Sequence, residues 1–220
     1  MSPVRQFSEL SEPIGTFERL FCAALAELLP DLTESPWYVR EREVVNRFVF
    51  RWLIPKFQSE NLDISQIGIE IPVQVSPQSR KEKPSVSGDI VVWLHSKAGV
   101  WLTCKPLARI EWKNISCREK SGSNLNRQHR RDIERLIHNS RLAYLNYAVL
   151  TSRQGGKVEL LCTRIVDGTP TELLELGPSN GSGTEVENII SKMDYNDAMS
   201  RQHECPHCEL ARSGVMVPRH

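Results

Sequence analysis

The chain carries no surplus charge of either sign. In 220 residues, 28 Lys and Arg stand against 27 Asp and Glu, a net charge of +1. Whole-chain charge therefore argues neither for nor against a nucleic-acid partner, and only local clustering can. No apolar run reaches bilayer length, and the longest candidates contain Arg or Glu. The opening Met1-Ser2-Pro3-Val4-Arg5 lacks the charged lead and apolar block of a secretory signal, so a cytoplasmic location is the default expectation. A disulfide framework is also missing. Cys22, Cys104, Cys117 and Cys162 are scattered singly, as reduced structural thiols are, and only Cys205 and Cys208 form a close pair. No internal repeat is visible.

The composition that remains, 40% hydrophobic and 25% charged, is that of one ordinary globular domain with an appendage. Apolar residues recurring at three and four predict a helix from Thr16 to Leu29, closed by Pro30. A second helix is expected from Tyr38 to Phe57, with Glu41, Val44, Val45, Phe48 and Trp52 on one stripe and Pro55 at its end. Ile67 to Val75 alternates as a strand, with Pro72 marking a bulge or an edge. A basic loop with Arg80, Lys81 and Lys83 follows. After a polar loop from Ser116 to Asn126, a third helix is expected over Arg127–Tyr144. Two closing strands follow, at Ala148–Thr151 and Val158–Cys162.

The informative stretch lies between Ser87 and Asn114. Ser87-Gly88-Asp89-Ile90-Val91-Val92-Trp93 and Ala108-Arg109-Ile110-Glu111-Trp112-Lys113-Asn114 both read as apolar strands interrupted by charge. Residues two apart share a strand face, so Glu111 and Lys113 point one way while Ile110 and Trp112 point the other. If the two strands pair antiparallel, Asp89 sits beside Glu111 and Lys113. Two carboxylates and an ammonium converging on one sheet edge are what a hard divalent cation and an activated water need.

The element order helix, three strands, helix, strand, together with Asp89 and Glu111-Trp112-Lys113, resembles the PD-(D/E)xK nuclease superfamily, the restriction-endonuclease-like fold. The resemblance covers Tyr38 to Ile165. It implies an α/β domain over residues 1–176, with a mixed central sheet flanked by helices. It implies Asp89 and Glu111 as metal ligands and Lys113 as the lysine that orients or activates the attacking water. A glutamate of the preceding helix often joins them, Glu41 here, with Glu43 as the alternative. Gly88 stands where many members have proline. The implied activity is hydrolysis of phosphodiesters, DNA before RNA, with Mg²⁺ or Mn²⁺, since oxygen-only ligands suit those ions better than zinc. Many members pair to cut two strands, so a homodimer is admissible.

Arg118, Lys120, Arg127, Gln128, His129, Arg130 and Arg131 cluster after the second strand and at the start of the third helix, where backbone N–H groups could cradle phosphate. Against this stands the plain reading that such a run is solvated surface. The five tryptophans fit core packing better than base stacking. Residues 177–220 are expected to form a Gly/Ser-rich link, a short helix opened by Thr184 and Glu187, and a tail with His203, Cys205 and Cys208. One Cys-x-x-Cys with neighbouring histidines is half of a zinc knuckle, so the tail is read as weakly structured, with zinc as the alternative. Two other functions stay open: a non-catalytic nucleic-acid-binding or scaffold protein on the same fold, and a zinc-linked interaction module through the tail.

Overall fold

The structure, a computed structural model, describes residues 4–34, 40–74, 85–95, 105–115, 122–154 and 157–177. Among these the chain is an α/β protein with a mixed sheet and helices on both faces. Helix α1 spans Pro13–Glu34, α2 Glu41–Arg47, α3 Ile54–Ser59 and α4 Gly122–His138. The strands are β1 (Ile67–Gln74), β2 (Ser85–Val92), β3 (Ala108–Ile115), β4 (Leu145–Gln154), β5 (Lys157–Val166) and β6 (Thr169–Leu176), lying side by side in chain order. All neighbours are antiparallel except β3 and β4, which are parallel and therefore need the crossover that α4 provides.

Alternation along β4 fixes the layers. Tyr147 packs against Phe17 and Phe21 of α1, while its neighbour Ala148 packs with Leu136 of α4. On the α1 side, Phe48 meets Trp112 of β3 at 5.1 Å between ring centroids. Trp93 and Trp112 are fully buried, as core residues, and Trp52 is partly so. Cys22 and Cys162 are buried free thiols. No helix of the described residues is long and apolar enough to cross a membrane.

Both prolines expected to end helices lie inside them. Helix α1 runs four residues past Pro30 because its last turn is tied down: Leu32 is buried, and Asp31 takes two bonds from Arg47, at 2.5 and 2.7 Å. Arg153 also donates to the Leu32 carbonyl. The chain from Glu41 continues through a π-helical segment, Phe48–Leu53, into α3 and so passes Pro55. That widening accommodates a ring with no N–H to give. Helix α4 begins at Gly122, earlier than expected, because Gly122-Ser123-Asn124 carries no apolar periodicity. It stops at His138, before Ala143. Strand β6, paired with β5, lies beyond the two closing strands that the sequence predicts. Its turn, Asp167-Gly168, has φ of 48° and 80°, the two positive values that a two-residue type I′ hairpin requires.

Candidate functional site

The geometry of the site follows from where β2 and β3 part. They pair at only three positions, Val92 with Ala108, Val91 with Arg109 and Ile90 with Ile110. Beyond that, β2 stays with β1 as far as Ser85, opposite Gln74, while β3 stays with β4 as far as Ile115, opposite Ser152. Asp89 and Glu111 are the first residues past the last pair. A strand that loses its neighbour leaves backbone groups to be satisfied. Here the Trp112 N–H donates to the Asp89 carboxylate at 2.6 Å. The ladder between β1 and β2 also skips Glu70 and Asp89, and Glu70 takes a φ of 54°, a costly value for a residue with a Cβ.

Arg109, Glu111 and Lys113 share the face beneath α4. The Lys113 ammonium lies 3.1 Å from both oxygens of Glu41 and 3.7 Å from Asp132 of α4. The Glu43 carboxylate instead accepts from the backbone N–H of Arg40, at 3.3 Å. Of the two alternatives, Glu41 is thus the one that reaches the cluster. Glu111 is 6% exposed and accepts from Arg135 at 3.0 Å, and the same Arg135 nitrogen donates to Asp132 at 2.8 Å. Asp89, Glu111, Lys113 and Glu41 are therefore brought together, and α4 adds Asp132, Arg135 and His129.

The electrostatics follow from burial. Desolvation raises the Asp89 carboxyl, against the Trp112 N–H that favours its charged form. Burial pushes Glu111 up to about 7, with Arg135 opposing and Asp89 adding to the rise. For Lys113, burial works against the charge, but Glu41, Asp132 and Asp89 outweigh it and the ammonium is held on. Burial lowers Arg109 to about 10 and lowers His129, so at neutral pH the guanidinium is charged and the imidazole is not. Several buried atoms have no hydrogen-bond partner: Glu111 Oε1, Asp132 Oδ2, both ring nitrogens of His129 and all three guanidinium nitrogens of Arg109.

Among the described residues no three His, Cys, Asp or Glu side chains stand close enough to hold a metal ion as they are placed. The donor set nevertheless suits a hard divalent cation: the carboxylates of Asp89, Glu111 and Asp132 outnumber the one imidazole, His129, and one oxygen of Glu111 is left without a donor.

The expected substrate surface is less concentrated. Because α4 starts at Gly122, Arg127, Gln128, Arg130 and Arg131 lie within the helix and not at its N-terminus, so the N–H cradle is not theirs. Gln128, Arg130 and Arg131 are exposed. The side chain of Arg127, together with Arg118, Lys120, the basic loop at Arg80, Lys81 and Lys83, and the tail with His203, Cys205 and Cys208, lies outside the described residues. Sequence reasoning missed Asp132 and Arg135, and took His129 for surface. The available signal was their three-residue spacing beside Ile133 and Leu136, which places His129 and Asp132 at the margin of the buried stripe. Comparison with protein-family models, with curated proteins and with solved structures gave no match to this chain.

Proposed function

We propose that this chain hydrolyses phosphodiesters in nucleic acid, DNA most readily, with Mg²⁺ or Mn²⁺ held by Asp89 and Glu111, as the PD-(D/E)xK resemblance implies. The observation that carries the reading is the parting of β2 and β3, with Asp89 bonded to the Trp112 N–H and Glu111 and Lys113 beside it. The helix, three strands, helix, strand order around that point agrees with it. When bound, the cation neutralises the phosphodiester and lowers the pKa of a coordinated water. Lys113, pinned by Glu41 and Asp132, stays protonated. It orients the attacking water and stabilises charge in the transition state, and does not accept a proton. Glu41 acts as the carboxylate that aims this lysine.

The test is incubation of the purified chain with plasmid and single-stranded DNA, with and without MgCl₂ or MnCl₂. Cleavage is expected only with the metal, and Asp89→Ala is expected to abolish it. Unchanged cleavage by that variant would refute the assignment. A second reading, a nucleic-acid-binding or scaffold protein on this fold, is favoured by one observation: Arg135 already closes Glu111 and Asp132 into ion pairs. It predicts DNA binding indifferent to chelators and no cleavage under any condition.

A further inference from the structure

Helix α4 places Asp132 and Arg135 one turn apart against β3. A single nitrogen, Arg135 Nη2, lies 3.0 Å from Glu111 Oε2 and 2.8 Å from Asp132 Oδ1, so two carboxylates from different elements share one cation. Both carboxylate residues are more than nine-tenths buried, at 6% and 7% exposure, whereas the Arg135 side chain is 48% exposed. The second oxygen of each carboxylate accepts no hydrogen bond, and Lys113 lies 3.7 Å from Asp132 Oδ2. His129, one turn back and 6% exposed, lies within electrostatic reach of Asp132 and Lys113, with both ring nitrogens unpartnered. Buried acceptors without donors are costly, and several in one place point to a ligand.

We propose that Asp132 is a cation ligand of this site, sharing a divalent ion with Glu111, and that Arg135 stands in the ion's place until it binds. The proposal rests on the metal-dependent reading above. Metal–oxygen bonds are shorter than hydrogen bonds, so two carboxylates sit farther apart around a guanidinium nitrogen than around an ion. Arg135 is the exchangeable member. Its side chain is long and half exposed, so release into water costs it little, and a divalent ion outcompetes a single positive charge for two carboxylates. Lys113 is not exchanged, because both oxygens of Glu41 hold it. Once released, the Arg135 guanidinium is free to meet a phosphate oxygen at the mouth of the site.

The experiment is titration of the full chain with MnCl₂, followed by calorimetry and by the electron paramagnetic resonance of free Mn²⁺, for wild type, Asp132→Asn, Arg135→Ala and Arg135→Gln. Circular dichroism checks folding, and Arg135→Gln keeps hydrogen-bond donors should the alanine variant not fold. Asp132→Asn is expected to weaken Mn²⁺ binding about ten-fold or more, and loss of the Arg135 charge to tighten it about ten-fold. Unchanged affinity in Asp132→Asn, or Arg135 variants that bind no tighter than wild type, overturns the proposal. If wild type and Asp132→Asn bind Mn²⁺ and cleave DNA equally, this proposal falls and the nuclease reading stands. If neither wild type nor the Arg135 variants bind Mn²⁺, both fall.

Discussion

Replacing Glu111 by Gln isolates the cost of burying that carboxylate. Folded, its pKa is about 7, against an ordinary 4.5, because burial outweighs the pull of Arg135. Below pH 4.5 the group is protonated whether the chain is folded or not, and it costs the fold nothing. Between pH 4.5 and 7 the unfolded chain ionises first, so stability falls with a slope approaching about 1.4 kcal/mol per pH unit. Above pH 7 both states are ionised and the loss levels off at about 3 kcal/mol. That is a large share of the roughly 5–15 kcal/mol that holds a domain together. Gln does not titrate, so the stability of Glu111→Gln relative to wild type is expected to rise by about 3 kcal/mol between pH 4.5 and 8.

The assay is urea denaturation of both proteins at half-unit pH steps, read as the difference between them so that other titrations cancel. A constant offset would reflect the lost contact with Arg135 and leaves the slope of the difference untouched. A difference that stays flat, or falls as pH rises, would refute the argument. Saturating MgCl₂ adds a second reading. A cation on Glu111 keeps it ionised when folded, so the wild-type decline between pH 4.5 and 7 is expected to flatten, and the variant to be indifferent.

Two further outcomes test the frame around the site. Glu18 is fully buried on α1 and accepts from Tyr147 at 2.6 Å and from Arg164 at 3.3 Å, so Glu18→Ala, which strands both partners, is expected to cost about 3–5 kcal/mol in thermal or urea unfolding. A loss below 1 kcal/mol would mean that water or neighbouring groups already compensate. A Cβ at Gly88 would lie 2.8 Å from Arg109 Cγ and 3.1 Å from Val91, in packed surroundings, so Gly88→Ala is expected to cost about 1–3 kcal/mol and to lower cleavage by displacing Asp89; full activity would show that β2 can shift freely there.

What could be read from the chain, and what could not, divides on physical lines. The antiparallel meeting of Asp89 with Glu111 and Lys113 needed only the two-residue period of strands and the sign of the charges, and it is found as expected. Glu41 came from the resemblance, and its choice over Glu43 needed side-chain geometry, since both carboxylates lie near the helix start and only one turns towards Lys113. Pro30 and Pro55 do not end their helices because local rules for proline are overridden, by a tertiary anchor, the Asp31–Arg47 pair, in one case and by a π-helical widening of the backbone in the other. Asp167-Gly168 is legible as a hairpin turn, but Pro170, Glu172 and Glu175 break the alternation that would mark the strand behind it. Asp132 and Arg135 were hidden by their setting. In a helix this rich in charge, spacing beside Ile133 and Leu136 marks the margin of the buried stripe, and only the fold shows that Arg135 joins Asp132 to Glu111 there.

Among the described residues, the buried charged cluster around Glu18 and the one around Glu111 differ in a way that bears on the proposed function. On the α1 side, each oxygen of Glu18 has a donor, and only Arg164 Nε is left over. That is what a cluster serving stability looks like, because every unpaired buried atom subtracts from what it holds together. On the α4 side, where β2 and β3 part, Glu111, Asp132, His129 and Arg109 all keep atoms without partners, and a carboxylate is pushed to about 7. Apolar side chains would have filled this face at lower cost, as Ile90, Ile110 and Trp112 do on the other. Stability alone does not account for such an arrangement. A ligand that completed the missing contacts would, and under the proposed metal-dependent reading a cation followed by a phosphate would supply both signs of charge that the unpaired groups require.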